Sequence, residues 1–221
     1  MAKAKGKIDV FVDCVSPYSY YAVKYLLKNR AALQSYGVEV EFHPVFLGAI
    51  MTSSVIPAKA KYMGYDTERA KKYFNIPNLR LPENFPILTL LPQRCLTYIK
   101  QHYPSTTYES TFVHLWIQAY ELSADISKPP VLARALASTS LFSPQEVERI
   151  LAAAGEPKYK EMLMAATKRA IDQGAFGAPW FWVRNGEGKE EPFFGSDRWA
   201  FMWRFLGVPF RDVEIVEKGK L

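Results

Sequence analysis

The sequence predicts an α/β fold interrupted by a large all-helical insertion, and three observations carry that expectation. Strand-type patterning occurs only towards the two ends of the chain. Between about Pro44 and Gly155 it vanishes, and helical spacings replace it. The end segments read βαβ and αββα, the order of one sheet assembled from two separated pieces. An α/β domain of residues 1–44 and 156–221 is therefore expected around an inserted helical domain of residues 45–155.

The first strand is Ile8-Asp9-Val10-Phe11-Val12, a short β-branched and aromatic run. The stretch Asp13-Cys14-Val15-Ser16-Pro17-Tyr18-Ser19 follows, and the rest of the chain is organised around it. Ser16 suits a helix N-cap and Pro17 the first helical position. Tyr21, Val23, Leu26, Leu27 and Leu33 then recur at a mostly helical spacing. The hydroxyl of Ser16 is thus expected at the positive end of a helix, just past a strand tip, where an anion is favoured. Gly37 breaks the helix. Val38-Glu39-Val40-Glu41-Phe42 alternates with period two and is expected to run parallel to the first strand.

In the central block, Asp66 or Thr67 is read as the cap of a helix through Tyr73. Pro77, Pro82 and Pro86 force extended backbone before them. Helical patterns occupy Ile87–Tyr103, Thr106–Leu122, Pro130–Thr139 and Pro144–Ala153. Pro92 is expected to kink or divide the first of these. Ser143, Pro144 and Glu146 form a capping-box pattern. A helix from Pro157 to about Gln173 closes at Gly174. Trp180–Val183, the turn Asn185-Gly186-Glu187-Gly188 and Glu191–Phe194 read as a hairpin. Gly195-Ser196-Asp197-Arg198 is expected to open a last helix ending near Gly207.

At 49% apolar residues the chain can build a sizeable core, and its net charge of +6 fits an anionic small substrate. The positive charges are scattered, with no basic and aromatic ladder for nucleic acid. Cys14 and Cys95 lie too far apart in sequence for a redox or zinc pair and suit a reducing compartment. Cys14 reads as a small buried apolar residue beside the site. His43, His102 and His114 are scattered and read as structural, which leaves no base for a serine-hydrolase reading, and no metal is expected. No apolar run approaches the roughly 18 residues of a membrane helix. Met1 to Lys7 is basic without an apolar core, unlike a secretory signal. Gly219-Lys220-Leu221 is similar to the peroxisomal Ser-Lys-Leu address, with Gly for Ser.

Three motifs recur in a telling order: Asp13 with Ser16-Pro17-Tyr18-Ser19, then Gly174-Ala175-Phe176-Gly177-Ala178-Pro179, then Phe194-Gly195-Ser196-Asp197-Arg198. With Leu115-Trp116 and Asp125-Ile126, they resemble the kappa class of glutathione transferases, from about Ile8 to Leu206. That resemblance implies a thioredoxin-like fold with a helical insertion, related in architecture to the disulfide oxidoreductase DsbA. Thioredoxin-like enzymes carry Cys-x-x-Cys where this chain has Ser16 and Ser19, so dithiol exchange at this spot is excluded.

The resemblance further implies glutathione as substrate, held by Ser16, Pro17, Tyr18, Lys59, Ala178, Pro179, Ser196 and Asp197. Ser16 is the implied catalytic residue, donating to the thiolate. A hydrogen bond to a charged acceptor contributes roughly 1.5–3 kcal/mol and a helix N-terminus roughly 0.3–1, together about one to three pKa units. Pro179 is expected in the cis form, turning the Ala178 backbone towards the cysteinyl residue of glutathione. Ser196 and Asp197 are implied at the γ-glutamyl end and Lys59 at the glycyl carboxylate. The chain departs from the class where an Asn is expected. It reads Met51-Thr52-Ser53-Ser54-Val55-Ile56-Pro57, with Ser53 or Ser54 as substitutes.

The implied activity is conjugation of the thiolate to small electrophiles, with glutathione peroxidase activity as a second outlet. The alternative is a glutathione-dependent isomerase similar to 2-hydroxychromene-2-carboxylate isomerase, and a non-catalytic binding or chaperone module is the reading from another class. A homodimer engaged in detoxification in the peroxisome or mitochondrial matrix, otherwise the cytoplasm, is also implied.

Overall fold

The protein is described by a computed structural model covering residues 6–51 and 57–211, of which 57–61 are described in backbone only. Ser53, Ser54 and the Gly219-Lys220-Leu221 end therefore lie outside the described residues, as does the side chain of Lys59.

Four strands form one sheet: β1 (Gly6–Val12), β2 (Val38–Pro44), β3 (Trp180–Arg184) and β4 (Glu190–Phe194), in the order β2-β1-β3-β4. β1 lies parallel to β2, with Ile8 opposite Val40, as the helical crossover between them requires. It runs antiparallel to β3, with Phe11 opposite Trp180. β3 and β4 form the expected hairpin, and Pro192 sits on the edge strand, where its missing N–H costs no ladder bond. Nine α-helices are described: α1 (Pro17–Ser35), α2 (Leu47–Ile50), α3 (Pro57–Tyr73), α4 (Leu90–His102), α5 (Ser105–Trp116), α6 (Pro129–Ala137), α7 (Pro144–Ala153), α8 (Pro157–Asp172) and α9 (Trp199–Leu206). A single π-helical turn, Ile117–Glu121, continues α5.

The side chains of β1 alternate between two cores, as the period of a strand dictates. Ile8, Val10 and Val12 are fully buried in the larger core, with α1, the inserted helices and α9. Phe11 enters a smaller core on the other face, with Val45, Ala170 and Trp180. Within the larger core Tyr20, Trp116 and Phe112 form a continuous stack, with ring centroids 5.6 and 4.4 Å apart. Each such aromatic removes a large apolar area from water, and the offset stack adds about 0.5–1.5 kcal/mol per pair.

Asp9 faces the second side of the sheet and is matched there by charges from distant elements. His43 Nε2 lies 2.7 Å from its carboxylate and Arg169 Nη2 of α8 lies 2.8 Å away. The Lys100 ammonium of α4 donates to Glu41 at 2.8 Å, to the Phe42 carbonyl at 2.7 Å and to His43 Nδ1 at 2.9 Å. An ammonium has no acceptor, so His43 Nδ1 accepts and Nε2–H donates to Asp9. Burial, reinforced by the Lys100 charge, pushes the His43 imidazole towards its neutral form, although the bond to Asp9 opposes this. Burial would raise Asp9, but His43, Arg169 and Lys7 outweigh it and hold the carboxyl at about 2. Asp9, Glu41 and His43 lie close enough to hold a cation, yet Lys7, Lys100 and Arg169 already meet both carboxylates.

Three expectations are corrected, and one feature is added that the sequence reading did not address. α3 begins at Pro57, so Asp66 and Thr67 stand inside the helix rather than capping it. Pro92 falls in the first turn of α4, where no intrahelical donor is needed, so it divides nothing. Ser196 and Asp197 precede α9; Arg198 holds the N-cap position and no side chain caps the helix. The bond between Phe85 and Pro86 is cis.

Candidate active site

Ser16 occupies the N-cap of α1 with extended backbone, φ −99° and ψ 113°. Its Oγ accepts from the Ser19 N–H at 3.2 Å, and its own N–H donates to the Asp13 carbonyl at 3.0 Å. Its one hydroxyl proton goes across the site, to the carbonyl of Ala178, at 3.0 Å. Ala178 and Pro179 are joined by a cis peptide bond, as the sequence predicts. The antiparallel β1–β3 ladder causes this meeting: the exit of β1 and the entry of β3 lie side by side at one end of the sheet. Cys14, next to the site in sequence, is fully buried, and burial pushes its thiol well above the ordinary range. It is a packing residue and not a nucleophile.

Asp13 lies beneath the loop and is fully buried. Its Oδ1 accepts from the Val15 N–H at 3.0 Å and its Oδ2 from the Leu47 N–H at 2.7 Å. The carboxylate therefore ties the β1–α1 loop to the start of α2 and fixes where Ser16 sits. Burial without a cationic partner raises its pKa to about 6, against the lowering effect of the Thr89 hydroxyl nearby and of those N–H bonds.

A cleft of about 930 Å³ opens over Ser16. α1 contributes Tyr18, Tyr21 and Tyr25, one face at helical spacing; α3 contributes Tyr62, Asp66, Arg69 and Tyr73; the segment around β4 and α9 contributes Phe194, Asp197, Arg198 and Trp199. The walls are rings in contact: Tyr25 on Trp199 at 4.4 Å, Tyr21 on Phe74 at 5.1 Å, Phe176 on Phe194 at 4.5 Å. Phe176 is 63% exposed and Tyr73 70%, so aromatic surface faces solvent at the mouth. Gly177 permits the Phe176–Phe194 wall, because a Cβ there would stand 2.9 Å from the Phe194 ring. Tyr18 Oη donates to Asp66 Oδ2 at 3.1 Å, and Arg69 lies 3.6 Å from the other Asp66 oxygen. This bond links α1 to α3 across the cleft. Burial and the Asp66 carboxylate raise the Tyr18 phenol well above its ordinary range, so it stays protonated.

Of the residues singled out by sequence, Ser16, Pro17, Tyr18, Ala178, Pro179, Ser196 and Asp197 all line this one cleft. Asp197 is paired with the neighbouring Arg198 at 2.7 Å on an exposed rim. Sequence reading missed the α3 wall. The spacing of Tyr62, Asp66, Arg69 and Tyr73 marks one helical face, and reading Asp66 as a cap hid it.

A family model for DSBA-like thioredoxin domains matches residues 7–207. The chain belongs to that family. Among curated proteins, this DSBA-like domain is similar to glutathione S-transferase kappa 1 of Caenorhabditis elegans, with 29% identity over 214 residues, covering 92% of each chain. It is also similar to glutathione S-transferase kappa 2 of the same organism, with 28% identity over 217 residues, covering 92% of this chain and 93% of that one. Among solved structures, a 2-hydroxychromene-2-carboxylate isomerase superposes with a TM-score of 0.73 at 18% identity, covering 91% of this chain and 94% of that one. At that identity the likeness is one of fold.

Proposed function

We propose that this DSBA-like domain is a glutathione transferase that adds the glutathione thiolate to small electrophiles. The carrying observation is the pairing of a buried N-cap hydroxyl, Ser16, with the cis Ala178–Pro179 backbone under an aromatic cleft, with serines at 16 and 19. A hydroxyl there cannot exchange disulfides, but with the helix N-terminus it can stabilise a ligand's thiolate. The curated kappa relatives support glutathione as the thiol. The Ala178 carbonyl takes the cysteinyl N–H, and Ser196 and Asp197 at the rim take the γ-glutamyl end. Lys59 takes the glycyl carboxylate on the family resemblance alone.

In the conjugation, sulfur bonds to the electrophilic carbon and the leaving group departs, as chloride from an aryl chloride. The exposed rings of Tyr73, Phe176 and Phe194 give a planar acceptor apolar surface beside the sulfur. A homodimeric, detoxifying role rests on the same resemblance, and sedimentation tests the dimer.

Steady-state turnover with glutathione and an aryl halide tests the activity. Stoichiometric loss of glutathione is expected. Turnover of a chromene carboxylate without loss of glutathione would instead make the protein an isomerase, and no binding of glutathione would refute both readings.

A further inference from the structure

The Ser16 hydroxyl has one proton, and the fold has already placed it. It is donated to the Ala178 carbonyl at 3.0 Å, while the Ser19 N–H fills one acceptor position of the same oxygen at 3.2 Å. Ser16 and Ala178 are 4% and 8% exposed at the floor of the cleft, so a thiol seated over them leaves little room for water to replace either partner. A thiolate arriving at Ser16 therefore cannot receive that proton without stripping the Ala178 carbonyl of its donor. Leaving a buried carbonyl unpaired costs as much as the new bond contributes, so for a simple thiol the exchange is close to neutral.

We propose that the Ala178 carbonyl holds the Ser16 proton in reserve and releases it to sulfur only when the ligand brings an amide N–H of its own to that carbonyl. This rests on the glutathione reading and adds a rule of selection to it. The cysteinyl N–H of glutathione takes over at Ala178, Ser16 turns its proton to the sulfur, and the thiol proton leaves to solvent. No hydrogen bond is lost, and one to a charged acceptor is gained. The site thereby activates a thiol with a peptide N–H on the same residue, and leaves a thiol without one largely protonated. Backbone recognition and thiol activation become one event.

The test compares glutathione with its ester analogue, in which oxygen replaces the cysteinyl amide N–H and nothing else changes. Affinity is measured by calorimetry as a function of pH, and ionisation of the bound thiol by thiolate absorbance. Glutathione should ionise about one to two pKa units lower than the analogue on the protein. Below the thiol pKa the two dissociation constants should lie within about tenfold; above it they should diverge by about ten- to a hundredfold, as linkage requires. In Ser16→Ala the difference in bound pKa should disappear. Equal ionisation of the two ligands on the wild-type protein overturns the proposal, as does loss of analogue binding at every pH. If glutathione itself does not bind, the functional reading has failed and not this step.

Discussion

Asp13→Asn isolates the buried carboxyl beneath the active-site loop. The folded-state pKa is raised to about 6 from 3.8, so the native protein binds this proton more tightly than the unfolded chain does. Stability from the group is therefore fully present below pH 3.8 and is lost as pH rises through 6. The difference of about two pKa units corresponds to a loss of about 3 kcal/mol, a little under half of it between pH 5 and 7. Asn cannot ionise, and it retains one acceptor oxygen for either the Val15 or the Leu47 N–H. Urea denaturation of both proteins across pH 4 to 8 gives a difference curve in which Asp9, Glu41 and His43 cancel. Wild type should lose stability relative to Asp13→Asn by about 2.4 kcal/mol over that span, the rest of the loss falling below pH 4. A flat difference curve would show that the carboxyl ionises alike in the folded and unfolded chains, and the reasoning from burial would fail.

Ser16→Ala removes a cap and a buried bond, so it should cost about 1–3 kcal/mol in thermal unfolding and raise the bound thiol pKa by about one to two; an unchanged thiol pKa removes Ser16 from the chemistry. Asp197→Asn should weaken glutathione about tenfold in calorimetry, with the bound thiol pKa unmoved, because it touches the far end of the ligand; unchanged affinity with a collapsed rate would show the wrong end was assigned. Gly177→Ala pushes the Phe194 ring outward, which should cost about 1 kcal/mol at most, since the ring is partly exposed, and raise the KM for an aryl halide. An unchanged KM would show that this wall does not meet the acceptor.

Much of the site was legible because it is local. Ser16 as N-cap with Pro17 after it is decided by neighbours within four residues. The same holds for the Ser143–Glu146 capping box and for the Asn185–Gly188 hairpin turn. The cis form at Pro179 was legible only through its motif, and the Ala178 carbonyl beside it meets Ser16 on a loop distant in sequence. The Asp9 network was not legible at all: its partners His43 and Arg169 lie on other elements, and nothing in Ile8–Val12 announces them. The α3 face was hidden by a local ambiguity, since Asp66 can cap a helix or reach out from the middle of one. Its role is settled by Tyr18, on a different helix. The first turn of α9 was misplaced because Ser196 and Asp197 have side chains suited to capping, yet Arg198 takes the cap position and no side chain caps the helix.

The antiparallel pairing of β1 with β3 divides labour within the chain. Ser16 and Ala178 are separated in sequence by the whole helical block, yet their distance is set by a two-strand ladder in which Phe11 faces Trp180. A slip of one residue in that ladder would shift the pair by about 3.3 Å and turn every side chain to the opposite face. Substitutions along the α3 wall leave that ladder untouched. The Ser16–Ala178 pair is thus anchored on the sheet, while the α3 side of the cleft, Tyr73 included, stands on an inserted helix that can be exchanged. Such a chain can change what it attacks without relearning how to hold what attacks.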